Sequence, residues 1–278
     1  MSMTACLVCD ATATVHLDPA RRRCRACGFV FAVSPGAVPG ARYDMLYAGD
    51  GGALDDGRRP LYETLLRRTP PSGGRRCLDV GSGGGLFVRL AAEAGWDAVG
   101  VDPAGPQLEG SGCRLFRAEF PACASAAGGP FALVTFLGSL NYMADPVAAL
   151  STAHGLLEPG GVLVVRVPNV AVHLAVGRVA AAIGADSRVG AWLLRGTIVH
   201  ARSFTVRALA TALARAGFPE ARVDASAPVP GDPYGSGTAA IGSVKRVVGP
   251  LTQALAVVSA RRILWAPSLE ARAVRAGA

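Results

Sequence analysis

The 278-residue sequence predicts an α/β fold, a mostly parallel sheet with flanking helices, preceded by a small zinc ribbon. Three observations carry this expectation. A strand, a glycine-rich turn, a helix and a second strand follow one another over residues 77–102, and two CxxC pairs stand near the N-terminus. Hydrophobic residues make up 51% of the chain against 17% charged, which supplies a core and excludes the polar, highly charged composition of disordered chains.

The first element is the ribbon, residues 1–40. Its cysteines come as Cys6-Leu7-Val8-Cys9 and Cys24-Arg25-Ala26-Cys27, with fourteen residues between the pairs. Each CxxC sets two thiolates on one tight turn, and two such turns complete the tetrahedral sulphur shell that zinc accepts. Four protein ligands close the site, so Zn2+ held by Cys6, Cys9, Cys24 and Cys27 is expected to be structural. An iron centre and a vestigial site without metal are the competing readings. The opening MSMTACLVCDATATV has no basic region followed by an apolar one, so the chain is expected to be cytoplasmic, where these thiols do not persist as disulfides. Arg21, Arg22, Arg23 and Arg25 beside the second pair favour thiolates. Cys77, Cys113 and Cys123 lack paired spacing and read as packing residues.

A Gly/Pro linker (34–40) and an amphipathic stretch with Tyr43, Tyr47 and Tyr62 lead into the most informative segment. Cys77–Val80 reads as a strand, Gly81–Gly85 as a loop, Leu86–Ala94 as a helix and Ala98–Val101 as a strand ending at Asp102. Such a βαβ unit is right-handed and binds its ligand at the carboxyl ends of the strands. The dinucleotide pattern GxGxxG fails, because its third glycine would be Leu86, and no GK[ST] phosphate loop is present. Instead Asp79 precedes Gly81, Ser82, Gly83 and Gly85, and Asp102 closes the next strand. Acids at these places suit a cationic ligand with ribose hydroxyls to donate.

Here the sequence resembles the class I S-adenosylmethionine-dependent methyltransferases. LDVGSGGG (78–85) is similar to their first motif, VGVDPA (99–104) to their second, FALVTFLGSLNYMADP (131–146) to their fourth-strand motif and LLEPGGVLVVRVPN (156–169) to the turn and strand that follow. HARSFTVRALATALARAGF (200–218) resembles the next segment, and CLVC…CRAC followed by YDMLY resembles a zinc-binding leader in relatives that act on sugars or natural products. The resemblance implies a Rossmann-like, seven-stranded, mostly parallel sheet over residues 41–278. It implies S-adenosylmethionine as methyl donor, with S-adenosylhomocysteine as product. Asp79, Gly81, Ser82, Gly83, Gly85, Asp102 and Pro103 would bind it, with Glu119 toward the adenine, Leu137 at the fourth strand and Tyr43 closing from the leader. An inward-packing helix explains Tyr43 equally well. One departure matters: many relatives carry Glu-His where this chain has Asn141-Tyr142, so their histidine is absent.

A sulfonium methyl is already activated, so its transfer asks for positioning, plus a base where the acceptor must lose a proton. Of four histidines, His16 lies between the cysteine pairs and His154 on a helix that covers the sheet. His173 and His200 flank residues 169–203, an insertion expected as a lid of two apolar helices divided near residues 184–187. His200 is the preferred general base and His173 the second, with Tyr142 and Asn141 expected to orient a hydroxyl or to line the cofactor pocket. A purely structural role for each remains the alternative.

Residues 221–227 read as the sixth strand and SLEARAVR (268–275) as an antiparallel last strand, with a helical insertion over 228–265. There Val247, Val248, Leu251, Leu255 and Val258 form a stripe expected to pack in the core or in a homodimer, the alternative being an anionic membrane surface met by Lys245, Arg246, Arg261 and Arg262. No run of about 18 apolar residues is free of charge, so no membrane span is expected. Net charge is +8, of which residues 1–48 carry +2 and residues 245–278 carry +5. That near-neutral middle and 6% aromatics argue against a nucleic-acid surface. The expected function is methyl transfer to a small molecule, to an oxygen of a sugar, glycan precursor or natural product. The alternatives are an RNA methyltransferase that uses the ribbon for recognition, and a non-catalytic binding protein that keeps the fold.

Overall fold

In the computed structural model, residues 5–33, 52–69, 74–110, 112–195, 197, 199–226 and, with gaps, 251–277 are described. The ribbon contributes β1 (Thr14–Asp18), β2 (Arg21–Cys24) and β3 (Val30–Ala32). Helix α1 (Gly52–Arg68) then leads to β4 (Arg76–Val80), α2 (Leu86–Glu93) and β5 (Asp97–Asp102), the βαβ unit expected from the sequence. There follow β6 (Leu108–Gly110), β7 (Cys113–Arg117), α3 (Ala124–Ala127), β8 (Phe131–Leu137), a 3₁₀ turn (Leu140–Tyr142), α4 (Pro146–Leu156) and β9 (Leu157–Pro168). The insertion supplies α5 (Val170–Ala182), α6 (Arg188–Arg195) and β10 (Arg202–Ser203); α7 (Val206–Arg215), β11 (Arg222–Ala225) and β12 (Ser268–Val274) complete the order.

The main sheet runs β11-β12-β9-β8-β4-β5-β7-β6. β9, β8, β4, β5 and β7 are parallel, and β12, the alternating SLEARAV strand, lies antiparallel between β9 and β11, as the family resemblance implies. The seven expected strands are present, and the short antiparallel β6 adds an eighth at the edge. β8 reads FALVTFL and is buried along all but its last residue, the near-continuous apolar run of a strand covered on both faces. Helices α4, α5 and α7 begin on side-chain caps: Asp145 accepts from the N–H groups of Val147 and Ala148, Asn169 from Ala171, and Thr205 from Ala208.

The second sheet, β1-β2-β3-β10, joins the ribbon to the insertion. Arg202 and Ser203 of β10 pair with Phe31 and Val30 of β3. Phe29 packs on Phe204 at 4.9 Å between ring centroids, Thr205 Oγ1 donates to the Cys27 carbonyl (2.7 Å), and Arg215 donates to the Val8 carbonyl and pairs with Asp10 (2.7 Å). Residues 202–215 are thus bonded into the ribbon, although the sequence gives no local sign of that pairing. In the C-terminal insertion, Val247 and Val248 lie outside the described residues, while Leu251, Leu255 and Val258 are exposed at 63%, 40% and 86%. The expectation that this stripe packs in the core is therefore corrected: the buried residues are Thr252 and Ala256, four apart and one position further round the helical turns. Among the described residues no helix is long and apolar enough to cross a membrane.

Candidate functional site

The carboxyl ends of β4, β5 and β8 converge on the glycine loop. Parallel pairing sets Asp79 beside Gly100 on one side and Thr135 on the other. The loop turns back at once, with the Gly81 N–H donating to the Val101 carbonyl (2.8 Å). Gly81 has φ +76°, and a Cβ there would lie 2.2 Å from Ser139 Cβ, so only glycine fits. Ser139 Oγ in turn donates to the Val80 carbonyl. Gly85, at φ +82°, opens α2.

Asp102 organises this loop. Its Oδ2 accepts from Gly83 N (2.9 Å), and its Oδ1 from Ala104 N (2.8 Å) and Gly105 N (2.9 Å). The carboxylate that the resemblance assigns to the ribose thereby also fixes the loop and the turn carrying Pro103, which is exposed. Asp79 is buried and accepts from Thr135 Oγ1 (2.7 Å). Burial pushes its pKa up to about 7, the Thr135 bond opposing the shift and the Asp102 charge adding to it. A buried carboxyl that ionises near neutrality is disposed to receive a cation. Ser82 and Gly83 lie in the same loop, and Leu137 is the half-buried last residue of β8. Glu119 is exposed two residues beyond β7, so its side chain is not enclosed with Asp79 and Asp102. Tyr43 lies outside the described residues.

A second group of residues meets where β10 packs against the 3₁₀ turn. The rings of Tyr142 and His200 stand edge to face, 5.2 Å apart between centroids. Two of the three catalytic candidates, drawn from segments 58 residues apart, are thus brought together. The third is directed elsewhere: His173 is buried on α5 with Nε2 3.1 Å from the Pro267 carbonyl. A carbonyl only accepts, so that nitrogen carries the proton and anchors α5 to the start of β12. Of the remaining histidines, His154 packs edge-on to Phe218 at 4.8 Å, and His16 is exposed with its Nε2 3.2 Å from Arg22 Nη2. Sequence reasoning passed over Thr135 and Arg202. Thr135 is the one hydroxyl in an otherwise apolar strand, a signal that was available; Arg202 lies two residues from His200 and acquires its setting only through pairing with the ribbon.

The four cysteines form a group that could ligate a metal. Their sulphurs all lie within 4.8 Å of one another, with Cys6–Cys27 and Cys9–Cys24 each at 3.6 Å. Four sulphurs about 2.3 Å from a tetrahedral zinc stand about 3.8 Å apart, so the cluster fits that ion. The crowding drives neighbouring thiols in opposite directions: beside Cys27, Cys6 is lowered to about 5, and Cys27 is raised.

A model of the methyltransferase domain family matches residues 55–219. The chain belongs to the class I S-adenosylmethionine-dependent methyltransferase family. Among curated relatives, the methyltransferase is 32% identical over 164 residues to a ubiquinone biosynthesis O-methyltransferase of Ruegeria pomeroyi, covering 56% of this chain and 64% of the relative. It is 34% identical over 116 residues to the same enzyme of Cereibacter sphaeroides, covering 39% and 47%. The chain therefore spans between about half and two thirds of the relatives it matches. Among solved structures, a chain of the Haloferax volcanii complex between a methyltransferase and its activator aligns at TM-score 0.51 and 18% identity, covering 84% of this chain and 98% of that one. The plantazolicin methyltransferase, solved with S-adenosylhomocysteine, aligns at 0.50 and 11%, covering 88% and 93%. At these identities the likeness is one of fold.

Proposed function

We propose that this methyltransferase moves the methyl group of S-adenosylmethionine to an oxygen of a small molecule, on a sugar, glycan precursor or natural product. The observation that carries the reading is the contact of His200 with Tyr142 where the insertion meets the carboxyl edge of the glycine-loop sheet. The likeness over part of the chain to O-methyltransferases favours an oxygen acceptor.

The donor supplies a sulfonium methyl that is already electrophilic. The glycine loop and Asp102 would hold its ribose end, and Asp79 offers a carboxyl in a buried setting. Tyr142 orients the acceptor hydroxyl and His200 takes its proton as the oxygen–methyl bond forms and the sulphur–methyl bond breaks, leaving neutral S-adenosylhomocysteine. Cys6, Cys9, Cys24 and Cys27 would hold a structural zinc, which would fix the ribbon and take no part in the transfer.

The test is S-adenosylhomocysteine formation by purified protein supplied with S-adenosylmethionine and a low-mass cell extract. Turnover above the extract-free rate is expected, and His200→Asn should lower it at least about a hundredfold. An unchanged rate in that variant would remove His200 as the base.

A further inference from the structure

The proton-transfer pair leaves one buried feature beside it unused. Arg202 on β10 is 6% exposed, and its Nε and Nη1 have no hydrogen-bond partner. Asn141, in the 3₁₀ turn that β10 packs against, is 1% exposed, and neither its amide oxygen nor its amide nitrogen has a partner. Buried polar groups are almost always satisfied, and a buried guanidinium without an acceptor is costlier than a neutral group. Among the described residues no carboxylate is ion-paired with Arg202. Burial pulls its pKa down while the charge of Asp145 acts the other way, and the Asp145 Oδ1 is occupied in capping α4.

Arg202 stands opposite Phe31 from one side and Arg22 from the other, so both guanidiniums project from the face that carries this buried ring. Arg22 Nε is likewise buried without a partner. His200 lies two residues before Arg202, with its ring on Tyr142, the neighbour of Asn141. The unsatisfied groups of Arg202 and Asn141 therefore lie on the two segments that carry His200 and Tyr142.

We infer that Arg202 and Asn141 form an oxyanion pocket that anchors the acceptor, holding a carboxylate or phosphate group of the substrate while its hydroxyl meets His200. The inference rests on the small-molecule reading above and narrows it: the acceptor is an anionic small molecule whose charged group lies apart from the methylated oxygen. Guanidinium donors suit both oxyanions, and the Asn141 amide adds a neutral donor. Arg22 stands two strands from Arg202, with its Nη2 3.2 Å from His16 Nε2, and takes no part in this pocket.

The test is direct titration of the zinc-loaded full chain with inorganic phosphate and, separately, with acetate, each with and without S-adenosylhomocysteine, by calorimetry in a buffer free of other oxyanions. Saturable one-site binding of at least one anion is expected, weakened at least about tenfold by Arg202→Lys, which keeps the charge but loses the guanidinium, and by the isosteric Asn141→Asp, which adds repulsion. Phosphate binding alone assigns a phosphorylated acceptor, and acetate binding alone a carboxylated one. S-adenosylhomocysteine affinity should hold in both variants, which reports that they fold; if Arg202→Lys loses it, Asn141→Asp decides. The inference is overturned if neither anion saturates the wild-type protein, or if binding survives in a folded variant. Failure of S-adenosylhomocysteine to bind the wild type would instead sink the methyl-transfer reading, with the anion titration still judging this pocket.

Discussion

At the scale of single residues, Asp79 shows a site bought at the expense of the fold. Its carboxyl titrates near 7 in the folded protein against an ordinary 3.8, because burial opposes its charge. The folded state therefore binds the proton more tightly than the unfolded chain, and stability falls as pH rises from about 4 through 7, the full cost applying above that. Asp79→Asn removes the cost. Its melting temperature should exceed the wild type's by several degrees at pH 8.5 and by less at pH 5, while S-adenosylmethionine binds about tenfold more weakly for want of the negative charge. Melts at the two pH values decide this: an equal gap at both would show that the carboxyl does not titrate there. The placement of Asp79 was legible in the sequence, which sets an acid between an apolar strand and alternating glycines. The burial of Arg202 was not, because an arginine in HARSF looks like any solvated arginine until β10 buries it against the ribbon.

At the scale of elements, motif-bearing and periodic segments were legible and their partners were not. The βαβ unit and the two insertion helices divided near residues 184–187 follow from local pattern, and the antiparallel direction of the last strand from the family resemblance. The pairing of β3 with β10 joins residues about 170 apart, and two residues carry no periodicity to reveal it. The C-terminal stripe misled because the apolar residues at 251, 255 and 258 are the exposed ones, while Thr252 and Ala256 face inward. The β3–β10 joint makes a prediction of its own. With the ribbon holding residues 199–205 through Val30, Phe31 and the Cys27 carbonyl, removing zinc should loosen the segment that carries His200. Chelation, or Cys24→Ser, should lower the melting temperature by about 10 °C or more and speed amide exchange at Arg202 and Ser203. Unchanged exchange at those amides after verified zinc loss would show that the ribbon folds without the metal.

At the scale of the whole molecule, two sheets that meet at the 3₁₀ turn divide the labour. The eight-stranded sheet supplies the glycine loop, Asp79 and Asp102, and the four-stranded sheet brings His200 and Arg202 to Tyr142 and Asn141. On the proposed function the ribbon would lie on the acceptor side of the site, which would give a structural zinc its place in a fold of this kind. The measurement that tests the central claim most directly is the fate of the methyl group. Purified protein would be incubated with methyl-labelled S-adenosylmethionine and a combined small-molecule and RNA extract, and the label fractionated. The account expects label in low-mass, RNase-resistant material, retained on an anion exchanger. Label released by RNase, or no transfer at all from a donor shown to bind, would contradict it.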